Sequence, residues 1–146
     1  LICFATGPIG DIPGRFEPID KSIERLQVEG IKNHVERIPP NWFVEGKNSK
    51  NYFLCENAVK NTSKETAKNA LIAMRDWNGL ENLKNIKSKT LIIWGDRDKS
   101  YNYEQISLLK KFIQESYLKI FEGCCHNLHL EEPEKFNQAV KEFLIK

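Results

Sequence analysis

Six residues near the carboxyl end have side chains that do chemistry: Asp96 and Asp98 in "WGDRDKS", and Cys124, Cys125, His126 and His129 in "GCCHNLHLEEPEKF". Two chemistries compete for them. Thiolates and imidazoles can hold zinc. Alternatively, a histidine with a carboxylate on one ring nitrogen can act as a general base at the other, because the carboxylate fixes the tautomer and stabilises the imidazolium that forms. The spacing argues against zinc, whose protein ligands come from separated pairs such as Cys-x-x-Cys. Adjacent cysteines point in different directions on a regular backbone, and no second pair stands upstream. Cys125 directly precedes His126, so their side chains would rarely face each other, and free cysteines commonly pack as small hydrophobes.

A carboxylate and an imidazole meet only if the elements carrying them converge. "TLIIWG" at 90–95 is a continuous apolar run, as expected for a strand covered on both faces. The polar loop "DRDKS" follows. Residues 102–114 put Ile106, Leu109, Phe112 and Ile113 on one helical face, and "YLKIF" is the next strand, ending at Glu122-Gly123. Pro133 suits the first position of a last helix. Glu131, Glu132 and Glu134 complement its amino end, Lys141 and Lys146 its other end, and Phe136, Val140, Phe143 and Leu144 give it a buried face. Strand, helix, strand, helix implies an α/β fold of parallel strands with crossover helices. Polar residues just past the carboxyl ends of such strands line the ligand crevice. Asp96 and Asp98 follow one strand and His126 the next, which places Asp98 and His126 within reach of a hydrogen bond. Taken singly, an aspartate there is more often a turn or cap residue, and a lone histidine more often structural.

Upstream, residues 1–5 read as a short buried strand. The turn-rich "TGPIGDIPG" follows, and its Gly-Pro and Pro-Gly pairs end regular structure. Ile19, Ile23, Leu26, Ile31, Val35 and Ile38 recur at helical spacing, with Gly30 splitting the run into two helices and Pro39-Pro40 stopping the second. A short helix is expected from about Asn51. Thr62 with Glu65 fits a capping box, after which Ala67, Ala70, Leu71, Met74 and Trp77 share one face. The expected division is 1–16 as core strand and loop, 17–80 as a helical segment, and 81–146 as α/β core.

The composition is that of a globular chain: 146 residues, 40% hydrophobic, 29% charged, net charge +2. Scattered lysines at near-neutral charge argue against a nucleic-acid surface. No run reaches membrane-spanning length, and no signal peptide leads the sequence. Cys3, Cys55, Cys124 and Cys125 read as free thiols in a reducing, cytoplasmic compartment, which makes the sequon Asn61-Thr62-Ser63 a chance match. The chain opens inside an apolar run, and Met74 is its only methionine. Three strands are also few for an independent α/β domain, so further residues are expected upstream.

"TLIIWGDRD" followed by "FEGCCHNLHLEEPEKFNQAVKEFL" resembles the carboxyl-terminal part of the α/β-hydrolase fold superfamily, in its branch with a helical cap. The family pattern is a strand ending Gly-x-x-Asp, then a strand and loop ending Gly-x-Gly-His, then a Glu-x-Pro helix running to Phe-Leu. Residues 95–98 match the first part. Gly123, His126, Glu131 or Glu132, Pro133, Phe136, Phe143 and Leu144 match the rest, and "MRDWNGLENLKNIKSKTLIIWG" resembles the lead-in from cap to core. The resemblance covers roughly residues 65–146 and extends to the strand at 1–5. It implies that Asp98, the last residue of Gly-x-x-Asp, is the acid and His126 the base of a Ser-His-Asp-type triad, with Asp96 in the same loop the alternative acid off the family position, and that residues 17–80 are the cap. His129 falls on no family position and reads as a partly buried loop histidine. Cys125 replaces a family glycine, where a required positive φ would strain it. Ser88-Lys89 replaces the usual Val-Pro. No serine stands in a Gly-x-Ser-x-Gly elbow, so this chain holds no nucleophile of that kind. The resemblance implies ester or related acyl hydrolysis by a longer protein acting on a small acyl substrate, with no cofactor or metal. An elbow Asp would imply epoxide or haloalkane hydrolysis instead, and Gly or Ala there a non-catalytic binding or scaffold protein. The aromatic residues Trp42, Phe43, Tyr52, Phe53 and Trp77 belong to the expected cap, mostly as its core.

Overall fold

The computed structural model describes residues 1–11 and 14–145. Pro13, half of the expected Pro13-Gly14 breaker, and Lys146, expected at the end of the last helix, lie outside the described residues. Three parallel strands form a sheet in the order β1 (Ile2–Phe4), β2 (Thr90–Gly95), β3 (Ser116–Phe121). Ile2 pairs with Leu91 and Phe4 with Ile93, while β2 and β3 run in register from Thr90 opposite Ser116 to Gly95 opposite Phe121. All of β2 is buried, as its unbroken apolar run requires.

Alternate residues of β2 serve opposite layers. Ile92 and Trp94 pack with Leu83 and with Ile106, Leu109 and Ile113 from α4 (Tyr103–Phe112) and its end. Leu91 and Ile93 pack with Phe121, Cys124 and Leu128, under Phe136, Ala139, Val140 and Phe143 of the helix Pro133–Leu144. Two side chains expected in these layers are exposed, Phe112 at 39% and Leu144 at 69%. Helical spacing turns position 144 past the stripe, and Ala139 lies there instead. A one-turn helix, α5 (Leu128–Glu131), stands where a loop is expected and precedes the final helix, α6 (Pro133–Leu144), so His129 sits on a helical turn.

Between β1 and β2 lie α1 (Ile19–Arg37), α2 (Tyr52–Val59) and α3 (Lys64–Asp76), with 3₁₀ turns at Pro39–Trp42, Gly46–Asn48 and Leu80–Asn85. Gly30 breaks α1 with φ 82° and ψ 173°, a conformation glycine adopts without steric cost. The amino end of α3 is capped one residue later than the Thr62–Glu65 box would place it. Ser63 is extended, and its Oγ accepts from Thr66 N at 3.0 Å. Ser63→Ala is expected to cost about 1 kcal/mol, read as a lowered Tm. Phe43 and Tyr52 form a core with Cys55, flanked by Trp42. Phe53 and Trp77 are about half exposed and are not part of it.

The buried Glu17 carboxylate holds the start of α1 to its end, accepting from Ser22 Oγ and pairing with Arg25 and Arg37. Burial pushes its pKa up, but the hydrogen bonds from Ser22 and Arg37 and both arginine charges outweigh this, and the net shift is downward. His34, buried and near Arg37, is held below the ordinary histidine range. A depressed carboxylate stabilises the fold above its unfolded pKa and loses that contribution as pH falls. A depressed histidine takes up its proton more readily in the unfolded chain once pH drops below about 6.5. Both effects destabilise in acid. Tm is therefore expected to fall between pH 7 and pH 4, and less so in His34→Gln. No helix among the described residues is long and apolar enough to cross a membrane.

Candidate active site

Asp98 and His126 meet at the carboxyl edge of the sheet. Asp98 lies three residues past the end of β2, and His126 lies in the loop after β3. His126 Nδ1 is 2.9 Å from Asp98 Oδ2, with the aspartate side chain fully shielded from solvent and the histidine side chain 22% exposed. The other carboxylate oxygen, Oδ1, accepts from the backbone of Ser100 at 2.6 Å and of Tyr101 at 3.2 Å. Asp98 therefore does what an aspartate after a strand commonly does, closing its own turn. The same two amides leave Oδ2 aimed at the imidazole. With the carboxylate accepting, Nδ1 carries the proton and Nε2 has a free lone pair, and Nε2 makes no hydrogen bond among the described residues.

Asp96 is engaged elsewhere. Its Oδ1 accepts from Gly123 N at 2.7 Å, Asp96 N donates to Phe121 O, and Arg97 N donates to Cys124 O. These bonds tie the end of β2 to the turn after β3. Gly123 takes φ +74° in that turn. Gly95 allows a close backbone approach: a Cβ there would lie 2.6 Å from Cys125 O, and Cys124 O is in the way as well. A glycine at the end of β2 is thus what lets the histidine-bearing loop cross directly over it. At the end of β1, Ala5 holds a left-handed φ of 43°, with its amide on Ile93 O at 2.9 Å.

Cys124, Cys125, His126 and His129 do not converge. Among the described residues no group of three or more His, Cys, Asp or Glu is arranged to hold a metal ion. Cys124 Sγ faces Glu122 O, while Cys125 Sγ faces Asn41 O at 3.3 Å and Arg97 O at 3.2 Å. Burial pushes the Cys124 thiol up to about 11 and raises Cys125 as well, so both are poor nucleophiles at neutral pH. All four cysteines are free. Cys125 has no positive φ, so the strain anticipated for a side chain at that position does not arise; the left-handed position is Gly123. His129 is half-buried, its ring set edge-on to Phe4 at 5.0 Å. Burial, and then the nearby His126 charge, hold it below the ordinary histidine range.

Three neighbours of the pair were not singled out as site residues in the sequence. The Tyr101 ring stacks near-parallel to His126 at 6.1 Å, and Trp42 lies tilted at 6.0 Å. Glu131 hydrogen-bonds the amide just before His126. Position 101 follows Asp98 within one loop, a spacing that could have pointed to it. Trp42 comes from a distant segment and carries no such signal.

No family model matches the chain. A stretch of 64 residues, 44% of the chain, is 36% identical to the monoacylglycerol lipase ABHD6 of Rattus norvegicus, and spans 19% of that protein's length. Among solved structures, an esterase from Exiguobacterium antarcticum superposes with TM-score 0.88 at 21% identity, covering 100% of this chain and 57% of that one. An α/β-hydrolase enzyme from a Medee basin deep-sea metagenome library superposes with TM-score 0.78 at 16% identity, covering 99% and 55%. The chain thus spans about a fifth of that curated relative and little more than half of the solved chains. Its sheet of three parallel strands, the helices between them and the terminal α6 make it part of an α/β-hydrolase fold.

Proposed function

We propose that Asp98 and His126 are the acid and base of a Ser-His-Asp-type triad, within a longer protein that hydrolyses carboxylic esters or related acyl substrates, and that residues 17–80 form a cap over the substrate. The observation that carries this reading is the 2.9 Å contact between a fully shielded carboxylate and the Nδ1 of a partly exposed imidazole. In this reading, His126 Nε2 takes the proton of the nucleophile as it attacks the acyl carbonyl, then delivers it to the departing alkoxide. Water repeats the cycle on the acyl-enzyme. Asp98 holds the tautomer and stabilises the imidazolium throughout. The similarity to a lipase and to an esterase supports acyl chemistry, and Trp42 beside the imidazole offers an apolar surface to an acyl or ring substrate. Four free thiols suit a cytoplasmic setting.

The pair can activate an attacking group only where one is present, and none of the serines here lies in a nucleophile elbow. The 146 residues alone are therefore expected to show no turnover of p-nitrophenyl esters. Turnover by this chain that disappears in His126→Ala would refute that expectation. In a longer protein carrying an elbow serine, the same esters are expected to be cleaved. Failure to cleave any acyl substrate there would sink the ester reading.

A further inference from the structure

We propose that Glu131 is a positioning residue for His126: its carboxylate fastens the loop that carries the imidazole to the segment that lies beside it. Glu131 Oε2 accepts from Cys125 N at 2.6 Å, the amide immediately before His126. Its Oε1 accepts from Val44 N at 2.7 Å, more than eighty residues away in sequence. The glutamate makes no ion pair among the described residues. Its two oxygens serve two backbone donors, one on each side of a seam.

The rest of the seam is built in the same way. Asn127 N donates to Trp42 O at 2.9 Å, on the other side of His126. Cys125 Sγ approaches Asn41 O, and Asn51 Nδ2 donates to Leu130 O at 2.8 Å. Phe43, between the bonded residues Trp42 and Val44, is 1% exposed and anchors that side in the core of the helical segment. The residues flanking His126 are therefore both held to residues 42–44, and the Trp42 ring is brought to the imidazole by the same bonds. The bond from Asn127 N to Trp42 O is backbone to backbone, and the others each join a side chain to a backbone group. Glu131 is the side chain that closes the seam with a charge, and only a carboxylate can accept from both amides, since a glutamine offers one acceptor and turns an NH₂ toward the second donor. A helix-capping role would need its own helix's amides, and neither Cys125 nor Val44 belongs to α5 or α6.

The inference rests on the triad reading for its catalytic meaning but not for its structural test. In ¹⁵N-labelled 146-residue protein, the His126 Nδ1 proton, identified by its loss in His126→Gln, is expected to exchange with water at least about tenfold faster in Glu131→Gln, as the imidazole moves from Asp98. Unchanged exchange would overturn the proposal. In the longer protein, the same substitution is expected to lower kcat roughly 10–100-fold with KM little altered, the signature of a misplaced base. Accelerated exchange without any ester hydrolysis in the longer wild-type protein would leave Glu131 as the positioner and remove the triad reading. Hydrolysis unaffected by Glu131→Gln would remove the positioner and leave the triad. If Glu131→Gln does not fold, Glu131→Asp, which keeps the charge but is too short to span both amides, gives the same readings.

Discussion

Asp98→Asn is expected to lower kcat on the order of 10⁴-fold in the longer, nucleophile-bearing protein, with the fold intact. The size follows from which oxygen does what. Oδ1 is committed to the Ser100 and Tyr101 amides, so an asparagine keeps its carbonyl oxygen there and presents its NH₂ to His126. That NH₂ donates to Nδ1, the proton moves to Nε2, and the base can no longer accept from a nucleophile. The two amides that orient the aspartate thus enforce the wrong tautomer in the variant. Imidazole ¹⁵N shifts are expected to show protonated Nδ1 in the native chain and protonated Nε2 in Asp98→Asn. Finding the same tautomer in both would defeat the explanation, and a kcat loss under tenfold would defeat the assignment of Asp98 as the acid. Asp96→Asn serves as a comparison: its contact to Gly123 N can be kept by an amide oxygen, and its effect on kcat is expected to be small.

Gly95→Ala is expected to cost about 3 kcal/mol and roughly 6–12 °C in Tm, the upper range for overpacking, because the new methyl meets backbone and not a movable side chain. The added carbon would collide with the carbonyl oxygens of Cys124 and Cys125, with the Cys124 carbonyl carbon only 2.8 Å away. The loop can escape only by lifting from β2. That would break the bond from Arg97 N to Cys124 O and carry His126 away from Asp98. Loss of stability and loss of the slowly exchanging imidazole proton should therefore appear together. A variant with native Tm and a native imidazole signal would show that the loop does not depend on a bare backbone at this position.

Much of the layout was legible in the chain. "TLIIWG" reads as a doubly covered strand, since a short β-rich run with no polar face needs cover on both sides. The alternation after it then dictated parallel strands, and parallel strands place their loops at one edge. The meeting of the Asp96–Asp98 loop with His126 at one edge followed from that topology. The details that went astray were those decided by neighbours. Ser63 and Thr62 are both competent caps, and the choice between them depends on where α3 meets α1. Leu144 and Phe112 match a helical face by period, yet whether that face is covered depends on what packs there.

By itself the sequence determined the α/β alternation, the strand ends at which polar residues emerge, and the presence of one carboxylate and one imidazole at the same edge. It did so because hydrophobic periodicity and turn chemistry are local properties of consecutive residues. Only the tertiary structure decided which aspartate faces the imidazole, that Cys125 needs no left-handed backbone, that Trp42 and Tyr101 flank His126, and that Glu131 joins Cys125 to Val44. Those outcomes depend on hydrogen bonds between residues far apart in the chain, whose distances no local pattern encodes.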